Sequence, residues 1–174
     1  MPEKQPVIKV MEFVTARTRA YFKSEFNLDT TKNNSHIGNL EKIVLQDTTT
    51  VIFMRGAIIN LLVVFSFDAT LLKTIYDCMM DGLDVEDDEV DMYRNAAAGD
   101  VINTVLGNST IDLQKIDGDR IRITPPTVVN DVKALQEMHY TMFYAQSLTT
   151  KVGKITISLV GSDELFSKIF CPVK

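Results

Sequence analysis

A carboxylate and a carboxamide lie close together in a segment whose pattern predicts a helix. Asp100, Asn103 and Gly107 follow the spacing i, i+3 and i+7, which places them on one face of a helix. A carboxamide donates and accepts hydrogen bonds and does not titrate, so it can hold a water molecule in place. The pattern fits equally well two solvated surface residues followed by a glycine that ends the helix, and the spacing alone leaves both interpretations open.

Two other acidic segments are weaker candidates for a functional site. Residues 84–91 hold six carboxylates, but counting Asp84 as the first position of a calcium loop puts Glu89 where glycine is needed and Asn95 where a bidentate glutamate is needed. Acidic residues favour the start of a helix, which accounts for the run. The triplet Asp-Gly-Asp at 117–119 resembles the nucleophile of aspartate-based phosphatases, but we interpret it as a hairpin turn.

The cysteines and histidines predict neither a nucleophile nor a metal site. A cysteine phosphatase needs an arginine six residues after its cysteine, and Asp84 occupies that place after Cys78. Cys78 and Cys171 form no Cys-x-x-Cys pair, and we expect two buried reduced thiols. His36 and His139 have no neighbouring ligand residue, so no metal is assigned.

Three helices are predicted from apolar residues that recur three or four apart. The first covers residues 7–26, and the second covers 68–80 with Asp68 as its N-cap. The third covers residues 86–106, a length of roughly 30 Å at about 1.5 Å per residue, and we expect it to stop at Gly107. This third helix carries the acid and the amide.

Strand composition marks the segments between and after these helices. Residues 27–39 are polar and are predicted to be turns, and Gly56 indicates a bend or a turn inside the long strand segment. Pro125-Pro126 should end a strand, and Ser162 could cap a last helical turn. The predicted strands are residues 40–46, 50–67, 111–116, 120–124, 138–147 and 154–160.

Length, charge and hydropathy limit the class of protein. A chain of 174 residues with 45% hydrophobic content can bury one core, so residues 1–174 are predicted to form a single domain. A net charge of -5 offers no general attraction to nucleic acid. The charged residues among the first fourteen argue against a signal peptide, and the apolar stretch 57–67 is about half the ~20 residues of a membrane span.

The segment that holds the acid and the amide resembles a known phosphatase motif. Residues 99–108, GDVINTVLGN, are similar to the Glu-x2-Asn-x3-Gly segment of the CheC, CheX and FliY family of chemotaxis phosphatases. Residues 123–129, ITPPTVV, resemble the stretch that follows this helix in the CheX branch, and the order of elements agrees from about residue 7 to 160. Asn103 and Gly107 match the motif, whereas Asp100 replaces its glutamate. One such segment is present, as in CheX-like members.

The resemblance implies a phosphatase for the aspartyl phosphate of a CheY-like receiver domain. By this resemblance the catalytic residues are Asn103, which orients the attacking water, and Asp100, which pairs with a lysine of the receiver. Gly99, Asp100, Asn103, Thr104 and Gly107 would form the partner-binding surface. Mg²⁺ is expected in the receiver, and this chain would need no cofactor of its own.

The resemblance also implies an α+β fold, with a largely antiparallel sheet packed against long helices. We expect a cytoplasmic homodimer with no nucleic acid or membrane partner. Because Asp100 is one methylene shorter than glutamate, a module of the same fold that binds a receiver without hydrolysing its phosphate is an alternative. A dimeric structural protein in which Asp100 and Asn103 are ordinary surface residues is another.

Overall fold

A computed structural model describes residues 5–170, which form five helices, seven strands and a 3-10 turn. The chain begins with helix α1 and crosses strands β1 to β3 before it reaches helices α2 and α3. In chain order the elements are α1 Pro6–Phe26, β1 Thr31–Asn39, the 3-10 turn Leu40–Lys42, β2 Thr48–Arg55, β3 Asn60–Phe67, α2 Ala69–Met79, α3 Val90–Asp117, β4 Arg122–Ile123, β5 Thr127–Val129, α4 Val132–Gln136, β6 Met142–Thr150, β7 Gly153–Gly161 and α5 Asp163–Phe170.

The seven strands form one sheet in the order β1-β6-β7-β3-β2-β4, and β5 also pairs with β2. Every pairing is antiparallel. The β2–β3 hairpin is in register from Thr48 opposite Phe67 to Arg55 opposite Asn60, so its turn contains Gly56. The predicted α+β class with an antiparallel sheet is therefore confirmed.

The two faces of the sheet bury separate apolar clusters. Along β3, Leu61, Val63 and Phe65 belong to one cluster and Leu62 and Val64 to the other, because successive side chains of a strand point to opposite faces. The first cluster includes the buried sides of α1, α2 and α3. The 3-10 turn and α4 cover part of the second face. The first and third helices thus pack on one face of the sheet, as predicted.

The third helix does not end at Gly107, and this prediction was wrong. It continues to Asp117, where Gly118 adopts the left-handed conformation with φ 77° and ends it. The buried positions Val105, Ser109 and Leu113 recur every four residues, so the face that packs on the core continues beyond Gly107. Gly107 is a residue of the helix interior.

The hairpin predicted around residues 117–119 was also wrong. Residues 111–116 are helical, and only Arg122–Ile123 of the second predicted strand pairs, with β2. Asp117 is 3% exposed, and its carboxylate accepts hydrogen bonds from the backbone N–H groups of Ala57, Ile58 and Ile59 at 2.5, 2.8 and 2.6 Å. This aspartate anchors the end of α3 on the β2–β3 loop.

Four further predictions need correction. Residues 31–39, predicted to be turns, form the edge strand β1, while the segment 40–46 holds the 3-10 turn instead of a strand. The strand predicted from residue 138 begins at Met142, because α4 and a left-handed residue, His139 with φ 60°, precede it. Cys78 is exposed and not buried, and Cys171 lies outside the described residues.

The predictions for the first two helices were confirmed. Helix α1 covers Pro6–Phe26, and Asp68 caps α2 by accepting a hydrogen bond from the N–H of Leu71 at 2.8 Å. Its other carboxylate oxygen accepts from the N–H of Lys154 at 2.6 Å, which ties α2 to β7. Among residues 5–170, no helix is long and apolar enough to cross a membrane.

Candidate functional site

Four of the five predicted site residues lie on the solvent side of α3. Asp100, Asn103, Thr104 and Gly107 are exposed, and Gly99 is buried. The helix holds the four in a fixed spacing because its other side is anchored in the core through Val101, Ile102, Val105 and Leu106, each at most 1% exposed. The structure therefore brings the predicted acid and amide together on a rigid element.

The side chains of Asp100 and Asn103 have no hydrogen-bond or ion-pair partner within residues 5–170. An exposed carboxylate without a counter-ion can accept a cation from another molecule. An unpaired carboxamide keeps two donors and an acceptor available. Both groups are therefore free to contact a partner that docks on this face.

Gly107 has no structural role that requires glycine. It lies inside α3, and a methyl group added at its Cα would meet nothing within 4 Å. Glycine in the interior of a helix costs roughly 0.5–1 kcal/mol relative to alanine. The residue therefore leaves the helix backbone open to close approach from solvent.

Gly99, in contrast, allows two segments of this chain to pack closely. A methyl group added at Gly99 would lie 3.3 Å from Cγ of Pro126, which belongs to the Pro-Pro segment within residues 123–129. Beside this contact is a cleft of about 290 Å³, whose rim includes Asp100. Its lining residues are Thr50, Asn95, Ala96, Gly99, Asp100, Pro126 and Val128.

Helix α1 borders the same region with Tyr21. Burial raises the pKa of the Tyr21 hydroxyl above its ordinary value, and the charge of Glu25 adds to this. The polar side chain of Thr104 lowers that pKa, and the nearby charge of Asp100 raises it. Tyr21 is thus a neighbour of the predicted site from a second helix.

An ion pair joins the same two helices farther along α3. Nη2 of Arg17 lies 2.6 Å from Oδ2 of Asp112, and this hydrogen bond is the main reason that the pKa of Asp112 is lowered. The contact helps to hold α1 along α3, where the two helices pack against each other.

The remaining candidates from the sequence lie apart from this face. The acidic run 84–91 extends into the first turn of α3, where Asp91 pairs with Arg94 at 3.1 Å. His36 and His139 are exposed. Within the described residues, no three His, Cys, Asp or Glu side chains are grouped as a metal site would require. The acid and the amide on the exposed face of α3 can hold another molecule in position through hydrogen bonds.

Comparisons with known proteins agree with this fold and with this segment. The sequence model of the family described as chemotaxis phosphatase CheX matches residues 48–146, more than half of the chain, and the match includes α3 and the Pro-Pro segment. A search of curated protein sequences finds no significant match.

Solved structures with this fold include several chemotaxis proteins. The chemotaxis protein CheX from Desulfovibrio desulfuricans is 15% identical with a TM-score of 0.68, covering 87% of this chain and 97% of its own. CheX from Borrelia burgdorferi, solved in complex with CheY, BeF3 and Mg²⁺, is 15% identical with a TM-score of 0.65, covering 87% and 96%. FliY from Thermotoga maritima is 17% identical with a TM-score of 0.66, covering 98% and 96%.

Proposed function

Because the chain belongs to the CheX family of chemotaxis phosphatases, we propose that it accelerates hydrolysis of the aspartyl phosphate of a CheY-like receiver domain. The observation that carries this proposal is the pair of Asp100 and Asn103 on the exposed face of α3, whose side chains have no hydrogen-bond or ion-pair partner within residues 5–170. The receiver complex known for the Borrelia burgdorferi protein supports a receiver as the partner.

Asn103 is proposed to orient the attacking water. Hydrolysis of a phosphoryl group requires a water in line with the phosphorus, while Mg²⁺ and a lysine of the receiver neutralise the charge on the phosphoryl oxygens. The carboxamide can accept a hydrogen bond from this water and donate another to the phosphoryl group, and it does not compete as a nucleophile. This chain contributes position, and the metal belongs to the receiver.

Asp100 is proposed to pair with the receiver lysine. No cation of this chain occupies its carboxylate within residues 5–170. A lysine that pairs with Asp100 would fix the helix relative to the receiver, so that Asn103, one turn away, enters the receiver's active site. Gly107, whose Cα faces open space, would allow the backbone of the receiver to come close to α3.

The decisive experiment substitutes Asn103 by alanine. A CheY-like receiver from the same organism is phosphorylated by acetyl phosphate in the presence of Mg²⁺, and the decay of the phosphorylated form is followed with and without the protein. Asn103→Ala should lower the acceleration by about a hundredfold or more, because the attacking water loses its orientation. The free energy of unfolding should stay close to that of the wild type, because Asn103 is exposed.

Gln136→Ala is the matched control, since Gln136 also carries an exposed carboxamide but lies on α4, on the opposite face of the sheet from α3. It should leave the acceleration unchanged. A wild-type protein that leaves the receiver's decay unaltered would contradict the proposal, and so would an Asn103→Ala variant that loses activity only because it unfolds.

The alternative function is a receiver-binding module without phosphatase activity. Asp100 favours this alternative, because its carboxylate extends one methylene less than the family's glutamate. Binding of the phosphorylated receiver with no change in its decay would establish this alternative. No change in decay and no binding would leave a structural role for the protein.

The domain extent and the cellular location belong to the same proposal. A single domain over residues 1–174 remains a prediction, as does the cytoplasmic location that a phosphorylated receiver partner would require. The chain is proposed to need no cofactor of its own.

A further inference from the structure

The cleft beside Asp100 contains a buried hydroxyl group that the folded chain leaves unpaired. Thr50 lies in β2 and is among the residues that line this cleft of about 290 Å³. It is 0% exposed, and its Oγ1 has no hydrogen-bond partner within residues 5–170. Buried polar side-chain atoms of folded proteins are in large majority hydrogen-bonded, so this hydroxyl indicates a partner from another molecule.

The sheet holds Thr50 in a fixed position on the side that the long helices cover. Its backbone pairs with Phe65 of β3 on one side and with Val128 of β5 on the other. Ile52, two residues farther along β2, belongs to the helix-side apolar cluster, and alternate side chains of a strand point to the same face. The Thr50 side chain therefore lies on the side of α3, whose residues form the opposite wall of the cleft.

The cleft combines apolar walls with a negatively charged rim. Pro126 and Val128 line it from one side, and Ala96 and Gly99 of α3 line it from the other. The exposed carboxylate of Asp100 lies at the rim and has no cation partner within residues 5–170. The lining residues that the structure describes include no lysine, arginine or histidine. The cleft therefore favours an apolar stem with a cationic end, as in lysine and arginine.

The volume of the cleft fits one side chain. At about 290 Å³, it lies at the lower limit of the roughly 300–1,000 Å³ of sites for small molecules. One water occupies about 30 Å³ in the liquid, so a single ordered water would fill only a small part of the cleft. A side chain from a docked protein can fill the cleft and reach the buried hydroxyl.

We infer that the cleft is a subsite for a basic side chain of the docked receiver, which pairs with Asp100 at the rim and donates a hydrogen bond to the Thr50 hydroxyl. This inference takes only the partner from the function proposed above, and it applies whether or not the phosphate is hydrolysed. The active-site lysine of the receiver stays beside the phosphoryl group, so the occupant is a second basic residue. A carboxylate has two oxygens, so Asp100 can accept hydrogen bonds from both.

The test is the substitution Thr50→Val, which replaces the hydroxyl by a methyl group. The receiver carries BeF3 and Mg²⁺ in place of the phosphoryl group, and calorimetry measures its Kd for the full chain. We expect the Kd to rise about tenfold, because the cationic end of the occupant loses one hydrogen bond. The free energy of unfolding, measured in urea, should rise as well, because the variant no longer buries an unpaired hydroxyl.

Thr15→Val is the matched control. Thr15 lies in α1, is 4% exposed and also has an Oγ1 without a hydrogen-bond partner within residues 5–170. It is not among the residues that line the cleft. The substitution should raise the free energy of unfolding in the same way as Thr50→Val, and it should leave the Kd for the receiver unchanged.

Ala96→Leu tests the cleft from its other wall. Ala96 is exposed on α3, and leucine is a good helix former, so the variant should fold like the wild type. Its larger side chain would occupy the cleft. The Kd should rise about tenfold or more, although the Thr50 hydroxyl is still present.

The basic residues of the receiver identify the occupant. Each exposed lysine and arginine other than the active-site lysine is replaced by alanine, and each variant is measured with the wild type and with Thr50→Val. For the residue that enters the cleft, Thr50→Val should weaken binding no further, because both changes remove the same contact. The effects should add for every other basic residue.

Two outcomes overturn the subsite and leave the proposed function intact. An unchanged Kd in Thr50→Val shows that the hydroxyl contacts nothing in the complex. Additive effects for every basic residue of the receiver show that no cationic side chain enters the cleft. Asn103→Ala should lose hydrolysis with an unchanged Kd, so the chemistry and the subsite can fail separately. A wild-type protein that does not bind the receiver ends both proposals.

Discussion

Asp100 is the position at which this chain departs from the Glu-x2-Asn-x3-Gly motif that residues 100–107 resemble, and the surroundings of its side chain determine what this change does. The carboxylate is exposed and has no cation partner within residues 5–170. In the proposed complex, a lysine from the receiver would therefore compete with no cation of the described residues for this carboxylate. A closer approach of α3 to the receiver would make up for the shorter side chain, and the open space at Gly107 permits such an approach.

We expect Asp100→Glu to speed receiver dephosphorylation by about tenfold, equivalent to ~1.4 kcal/mol of barrier, because the longer side chain restores the reach to the lysine. Asp100→Ala should slow the reaction below the wild-type rate. The measurement is the decay of the phosphorylated receiver with Mg²⁺ present. Asp119→Glu, which adds the same methylene at an exposed position after α3, should change nothing.

A slower Asp100→Glu variant would mean that docking has readjusted around the shorter carboxylate, so that glutamate displaces Asn103. Equal rates for wild type, Asp100→Glu and Asp100→Ala would show that the carboxylate takes no part in the reaction.

The sequence predicted the acid and the amide because both lie on one helix, where spacing alone determines which side chains are neighbours. Tyr21 could not be predicted as a neighbour of Thr104. The two residues are far apart in the chain, and only the packing of α1 on α3 brings them together. In the sequence Tyr21 fits the apolar side of α1, and in the structure it packs against the apolar cluster on the helix side of the sheet.

At the scale of elements, the length of α3 depends on what its last residue contacts. Asp117 is buried at the end of the helix and accepts three backbone hydrogen bonds from the β2–β3 loop. Gly56 makes room for it, because a methyl group at Gly56 would lie 2.5 Å from the carboxylate. The loop and the helix end therefore stabilise each other.

Asp117→Ala should lower the free energy of unfolding by about 3 kcal/mol, because it leaves three loop N–H groups without their acceptor, two of them only partly buried and open to water. Urea unfolding measures this change. Asp119→Ala is the control, since the Asp119 carboxylate is exposed and accepts only from the N–H of Arg120. A loss below about 0.5 kcal/mol in Asp117→Ala would show that water replaces the carboxylate.

Elements whose apolar residues recur with a clear period were predictable from the sequence. Elements that depend on their place in the folded structure were not. Helices α1 and α2 and the strands of the β2–β3 hairpin show clear apolar patterns in the sequence, and α2 also has its N-cap at Asp68. The structure contains all of these elements. Strand β1 is polar and mostly exposed because it lies at the edge of the sheet, so its sequence resembles a loop. Residues 111–116 form a short segment in which apolar and polar residues are mixed, too short for periodicity to distinguish a helix from a strand.

At the scale of the whole molecule, the sheet has two unequal edges. One end is the two-residue strand β4, and the other is the nine-residue strand β1, which within residues 5–170 pairs only with β6. A long edge strand exposes unpaired N–H and C=O groups that can pair with another chain. The register of β1 against β6 shifts between Lys32 and Ser35, which leaves Asn34 outside that pairing.

We therefore predict a homodimer, as the family resemblance implies, in which two β1 edges join the sheets around a twofold axis. Light scattering at micromolar concentration should give twice the mass of one chain. Asn34→Pro should shift the mass toward the monomer, because proline removes a donor from the β1 edge, and it should leave the β1–β6 pairs intact because Asn34 is not among them. A dimer that persists in Asn34→Pro places the interface elsewhere, and a wild-type monomer at this concentration refutes the dimer.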